Sequence, residues 1–173
     1  PVFWESARGA NVRDVDGNVF LDLTGAFGVS VAGHGNPLIT QEIRDQAGRL
    51  VHGMGDVHPP AGKVEFLEAL ARIVPWEDSR TILGSSGSEA VEAALKTALL
   101  ATGRPGIVAF EGAYHGLTLG SLAVTEREDF REPFRERLYP GVRFVPFPES
   151  LRMGSGAASQ SLDAFAEVMD EGA

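Results

Sequence analysis

Three groups of side chains in this 173-residue chain have the types and spacing to do chemistry. The first is Ser85-Ser86-Gly87-Ser88-Glu89, which follows the apolar run Arg80-Thr81-Ile82-Leu83-Gly84 and opens a helical stretch through Ala98. The leading amides of a helix lack intrahelical acceptors, and the aligned peptide dipoles leave about +0.5 charge there, so a phosphate fits such a junction. Gly84 and Gly87 permit close backbone approach, and Ser86 with Glu89 has the spacing of a capping box. On these letters alone the junction is equally a well-capped helix that binds nothing. The second group is Glu111-Gly112-Ala113-Tyr114-His115-Gly116, placed after the buried-strand run Gly106 to Phe110, where open α/β sheets hold their ligands. The third is the pair of lysines, Lys63 and Lys96.

Several chemistries are excluded by the same letters. No lysine follows the glycines until Lys96, so no nucleotide P-loop is present, and no G-x-G-x-x-G occurs. A nucleophile elbow starting at Gly84 needs a glycine where Ser88 stands. The absence of cysteine removes disulfides, thiolate metal sites and cysteine nucleophiles together. His52 and His58 lack the spacing of a zinc helix, and His34 between glycines reads as a turn histidine. A net charge of −9 argues against nucleic acid as a partner. An apolar fraction of 43% with no membrane-length run predicts a folded, cytoplasmic chain without a membrane partner.

The pair S-S-G-S-E-A-V-E-A-A-L-K-T-A and G-A-Y-H-G resembles the class III (ornithine/4-aminobutyrate-type) aminotransferases, which are pyridoxal-phosphate enzymes of fold type I. Asp14-Val15-Asp16-Gly17, Leu21-Asp22 and Gly33-His34-Gly35-Asn36-Pro37 are similar to that family's D-x-D-G, L-D and G-H-x-x-P signposts, and the resemblance runs to about Pro148. It implies a transaminase that moves an amino group between an amino acid or amine and a 2-oxo acid, with pyridoxal 5'-phosphate as cofactor, in a homodimer. By position it implies that Ser86, Gly87 and Ser88 hold the cofactor phosphate, the Ser88 hydroxyl adding one hydrogen bond to those of the amides. Tyr114 stacks on the ring, His115 lines the same pocket, and Phe27 lies over the substrate's tail. The plainer alternatives are a core aromatic for Tyr114 and a hydrogen-bonded loop histidine for His115, while Phe27 between glycines is equally a packed core residue.

Transamination also needs a Schiff-base lysine and an acidic partner for the pyridinium nitrogen. Lys96 is eight residues beyond Ser88, roughly 12 Å along the helix at about 1.5 Å per residue, and its plainer use is an i,i+4 pair with Glu92. Nothing around Lys63 resembles the family's lysine motif, and Asp163 and Asp170 do not match its acidic one. No catalytic residue is therefore assigned, and the chain reads as an N-terminal piece of a longer enzyme, inactive by itself. Two other readings stay open: a lysine-less relative that binds a phosphate ligand or a partner chain, and an unrelated α/β phosphate-binding enzyme.

These groups must be positioned by an α/β fold, implied by the resemblance to be the N-terminal part of the fold type I architecture: an incomplete mixed or parallel large-domain sheet plus a small-domain segment. Residues 1–55 are expected to serve the small domain and substrate entrance, and 56–173 to begin the large cofactor-binding domain. Strands are expected at 11–14 and 19–23 across an Asp16-Gly17-Asn18 turn, then at 80–84, 106–110, 121–124 and 142–147. Helices are expected from Pro37, capped by Asn36, to about 51, and at 63–74, 87–101, 128–138 and from 162. Residues 53–60 and the Gly/Ser-rich 154–159 are expected to be loops.

Overall fold

The computed structural model describes residues 1–55 and 57–170. They form two compact units, divided between Ser79 and Arg80.

The N-terminal unit is built on a three-stranded antiparallel sheet, β1 (Trp4–Arg8), β2 (Asn11–Asp14) and β3 (Val19–Leu21), in that order. Val12 and Asp14 alternate onto the buried face of β2, and Val12 pairs with Phe20. The β2–β3 turn owes its shape to Asp14, whose carboxylate accepts from the amides of Asp16 (3.0 Å) and Asn18 (2.8 Å) and from Asn18 Nδ2 (2.9 Å). That explains the D-x-D-G spacing. A short helical turn, α1 (Gly25–Gly28), follows, and then α2 (Pro37–Arg49), with Asn36 Oδ1 accepting from Leu38 N at 3.0 Å and Pro37 at the first helical position. The expected loop at 53–60 is closed by a bridge between Met54 and His58, its Asp56 lying outside the described residues. The next helix, α3, is Ala61–Ala71.

The C-terminal unit pairs β4 (Ile107–Phe110) with β5 (Val142–Val145) in parallel, Ile107 opposite Val142. Before β4 lies α4 (Gly87–Thr102), stopped by Gly103 at φ +65°. Between the strands come α5 (Leu119–Ala123) and α6 (Glu128–Arg131), the latter continuing as a 3-10 turn through Glu132–Arg137. After β5 come α7 (Ser150–Met153) and α8 (Ala157–Asp170). Leu122 and Ala123 of α5 pack with Leu138, covered by Phe130 and Val142, so the short helix is the centre of this unit's core.

Three expectations are corrected. Residues 80–84 form no ladder, because no strand pairs with them among the described residues. Residues 121–124 belong to a helix rather than a strand, since a buried apolar run this short has no periodicity to separate the two. The glycine-rich segment is not a loop: Gly154–Gly156 is a 3-10 turn, and α8 begins at Ala157, where alanine favours helix.

Candidate functional site

Ser86 is the N-cap of α4, its Oγ accepting from Glu89 N at 3.2 Å. The return bond slips by one residue: Glu89 Oε2 accepts from Ser85 N at 2.6 Å instead of from the cap itself. The amides of Gly87 and Ser88 find no acceptor among the described residues, and a Cβ built on Gly87 would meet nothing within 4 Å. These are open, polarised donors facing free space.

The loop after β4 brings the second group to the same place. A concavity of about 760 Å³ is lined by Ser86, Gly87, Ser88, Tyr114, His115 and Gly116, with Val91, Leu117 and Thr118 behind them. His115 N donates to Thr125 Oγ1 at 2.9 Å, and Glu126 N donates to Ala113 O at 3.0 Å, fixing the loop on both sides of Tyr114. The Tyr114 ring is 56% exposed and meets Phe130 edge to face at 6.0 Å. It is not buried in the core of this unit.

The loop reaches α4 through two residues one turn apart. Ser88 Oγ accepts from Thr118 N at 3.2 Å and lies 3.0 Å from Thr118 Oγ1, while Ser88 O accepts from Ser121 Oγ at 2.9 Å. Glu92 Oε1 accepts from Thr118 Oγ1 (2.7 Å), Gly120 N (2.8 Å) and Ser121 N (3.3 Å). Thr118's hydroxyl bond, above all, holds the Glu92 carboxyl below its usual range, and the charge of Lys96 adds less than any of the loop's hydrogen bonds. Glu92 thus serves the loop and not the expected pair with Lys96. Its role left no mark in the sequence, because its partners are 26 to 29 residues away.

Phe27 lies in the other unit. It is 97% exposed at φ +58°, beside Ala26 at φ +51°, both left-handed and uncommon for residues with a Cβ. Asp22 holds this turn: Oδ1 accepts from Thr24 N (3.1 Å) and Oγ1 (2.8 Å), Oδ2 from Ala26 N (2.8 Å) and His34 Nε2 (2.7 Å). A carboxylate can only accept, so His34 is the donor at Nε2. His34, the turn histidine of the sequence, also exchanges backbone bonds of 2.8 Å with Gly9 and meets Trp4 edge to face. The bond to His34, then that to Thr24 Oγ1, pulls the Asp22 carboxyl down to about 2.

Residues 1–172 match the profile of a known family, described as aminotransferase class-III. The chain belongs to the class III aminotransferases. It is 40% identical over 149 residues to an acetylornithine aminotransferase of Archaeoglobus fulgidus, covering 85% of this chain and 39% of that protein. An alanine/serine racemase of Pyrococcus horikoshii is 35% identical over 152 residues, 88% of this chain and 32% of the relative. Among solved structures, the (S)-enantioselective omega-transaminase of Thermomicrobium roseum superposes with a TM-score of 0.88 at 23% identity, over 99% of this chain and 41% of that one. The omega-transaminase of Pseudomonas jessenii, solved in complex with PMP, gives 0.85 at 22%, over 99% and 41%. The fold is therefore part of the fold type I transaminase architecture. The chain spans 37% of the length of the first curated relatives it matches.

The residues fit the phosphate and ring of a pyridoxal group: two open amides, a cap hydroxyl and an exposed aromatic ring share one concavity whose lining holds no carboxylate. Neither lysine lines it. A more apolar groove of about 530 Å³, along Leu95, Leu99, Ile107, Val108 and Tyr139, lacks the amide pair and Tyr114 and is a poorer candidate. Among the described residues no helix is long and apolar enough to cross a membrane.

Proposed function

We propose that Gly87, Ser88, Ser86, Tyr114 and His115 form the phosphate and ring subsite for pyridoxal 5'-phosphate in an aminotransferase that moves an amino group between an amino acid or amine and a 2-oxo acid. The observation that carries this is the meeting of the open Gly87 and Ser88 amides with the exposed ring of Tyr114 in one concavity. When bound, the cofactor supplies the electron-withdrawing ring that loosens bonds at the substrate carbon. The chain's own contribution is to bind and orient: the helix N-terminus takes the phosphate charge, Tyr114 covers one ring face, and His115 borders the pocket. Phe27 is assigned to the substrate's tail, with residues 1–55 serving the small domain and substrate entrance and 56–173 the large domain. The proton-shuttling lysine and the acidic partner of the ring nitrogen are supplied by sequence other than this, and the working assembly is a homodimer.

Binding of pyridoxamine 5'-phosphate tests the subsite, because it needs no lysine. The chain is expected to hold it at least about tenfold more tightly than pyridoxamine, a difference of about 1.4 kcal/mol. Equal affinities would sink the reading. The racemase relative supports a second outcome for the same subsite, inversion of an amino acid without transfer. Supplying L-alanine and 2-oxoglutarate to the whole protein separates the two: glutamate forms in one case, D-alanine in the other.

A further inference from the structure

The hydrogen bonds between α4 and the loop that carries Tyr114 all run through Ser88 or Glu92 among the described residues. Ser88 belongs to the phosphate subsite. Glu92 does not, yet it makes three of these bonds with a single carboxylate oxygen.

The geometry of the contact is a matched register. Ser88 and Glu92 are four apart and share a helix face, and the loop opposes them with glycines that are also four apart, Gly116 and Gly120. A Cβ on Gly116 would stand 2.8 Å from Ser88 Cβ, so backbone alone fits there, while one on Gly120 would stand 2.5 Å from a Glu92 carboxylate oxygen and fit only if that carboxylate moved. Docking then fixes Thr118, four residues after Tyr114 and three after His115. Other polar anchors, His115 N to Thr125 Oγ1, Thr125 Oγ1 to Gly116 O, Gly112 N to Glu126 Oε2 and Glu126 N to Ala113 O, shape the loop without tying it to α4.

We propose that Glu92 is a positioning residue of the cofactor site: by holding Thr118, Gly120 and Ser121 against α4, it sets where Tyr114 stands relative to the amides of Gly87 and Ser88. The proposal rests on the assignment of those residues to a pyridoxal phosphate subsite. Glu92 acts as an acceptor, so a neutral acceptor of the same shape serves. The Thr118 hydroxyl bond, which most lowers the carboxyl's pKa, marks the same acceptor role.

The test compares two probes, pyridoxamine 5'-phosphate and inorganic phosphate, on the full chain. Glu92→Ala is expected to weaken the first by roughly three- to tenfold, the range that loss of a well-placed aromatic face represents, while phosphate binding stays within about twofold. Glu92→Gln, which keeps an oxygen where Oε1 stands, restores pyridoxamine 5'-phosphate binding. Tyr114→Ala shows the same selective loss, and adding Glu92→Ala to it costs little more, because the two act on one contact. Equal losses for both probes, unchanged binding in folded Glu92→Ala, failure of Glu92→Gln to rescue, or losses that multiply in the double variant each overturn the proposal.

A second readout is independent of any ligand. Labelled with 3-fluorotyrosine, the chain gives two resonances, for Tyr114 and Tyr139, assigned with Tyr139→Phe. The Tyr114 resonance is expected to move in Glu92→Ala and to return in Glu92→Gln; if it does not move, the proposal fails. Should Glu92→Ala not fold, Thr118→Val removes one of the three bonds together with the hydroxyl contact to Ser88 Oγ, so the Tyr114 resonance is then the readout: it is expected to move in smaller measure, and its indifference is equally fatal. If the unaltered chain does not prefer pyridoxamine 5'-phosphate to phosphate, the cofactor reading falls, and the fluorine resonance alone decides whether Glu92 places Tyr114.

Discussion

Asp22 and Glu92 are both carboxylates that gather donors around a loop bearing an aromatic ring, but they hold their loops by opposite means. Asp22 works locally: three of its four bonds reach only two to four residues ahead, and the fourth, from His34, ties in a second motif. Its bonds surround Ala26 and Phe27, whose backbone is left-handed at a strain of about 1–2 kcal/mol per residue. Glu92 reaches across 26 to 29 residues and strains nothing with a Cβ; its loop approaches because Gly116 and Gly120 have none. One site is held by charge against strain, the other by the absence of side chains. The first should therefore be broken by removing a charge, the second by adding a methyl group.

The largest effect is expected from the added methyl. Gly116→Ala puts a Cβ into the Ser88 side chain at a residue whose φ is +117°, and overpacking plus backbone strain should cost roughly 2–4 kcal/mol in denaturant titration. A cost below about 1 kcal/mol would show that the loop slides freely over α4 and would dissolve the contrast. Next comes Asp22→Ala, which leaves His34, Thr24 and Ala26 with unanswered donors around a side chain only 4% exposed. The melting temperature of the N-terminal unit should fall by several degrees, with faster hydrogen exchange at the amides of Thr24 and Ala26. Unchanged exchange there would mean that the left-handed turn holds itself.

Charge also makes the first site sensitive to acid. The folded pKa of Asp22, about 2, lies below the ordinary 3.8, so its stabilisation is complete above about pH 5 and is lost as pH falls through the range from 4 to 2. An acid titration followed at Thr24 and Ala26 should show this loss in the native chain and not in Asp22→Asn. Loss of the same size in both would assign the acid sensitivity to another group, such as Asp14, whose carboxyl is also lowered, chiefly by Asn18.

The same contrast separates what the sequence revealed from what it hid. The caps of α4 at Ser86 and Gly103, the Asn36-Pro37 start of α2 and the Asp14 turn were legible, because each is made by residues within a few positions of one another. The gathering of Ser86, Gly87, Ser88, Tyr114 and His115 was legible only through resemblance, since nothing local joins two segments so far apart. What stayed hidden needed a distant partner. Helix α5 borrows Glu92 for the amides of Gly120 and Ser121, and the i,i+4 rule gave that carboxylate to Lys96. An exposed helical pair is worth about 0.2–0.5 kcal/mol, whereas one hydrogen bond to a charged group is worth about 1.5–3, so the tertiary donors win. The run at 80–84 carries a strand's composition, but a ladder takes two strands and composition names only one. The strain at Phe27 was hidden for a further reason: T-G-A-F-G offers two glycines for a left-handed turn, Gly25 and Gly28, and both take it, yet Ala26 and Phe27 between them are left-handed as well.

That last point yields the smallest and sharpest prediction. Alanine at φ +51° is strained, and glycine is not, although glycine gives the unfolded chain more freedom to lose. Ala26→Gly should therefore stabilise the N-terminal unit by only about 0.5–1 kcal/mol, readable as a small shift of the unfolding midpoint. The sign depends on who imposes the conformation. With Asp22 in place, Ala26 N is held at 2.8 Å from Oδ2 and the backbone stays left-handed, so relief is available. In an Asp22→Ala background the turn is free to relax, no strain remains to relieve, and the same substitution should be neutral or destabilising through glycine's entropy alone. If Ala26→Gly stabilises both backgrounds equally, the left-handed turn is a property of residues 24 to 28 themselves, and the carboxylate at Asp22 decorates it without holding it.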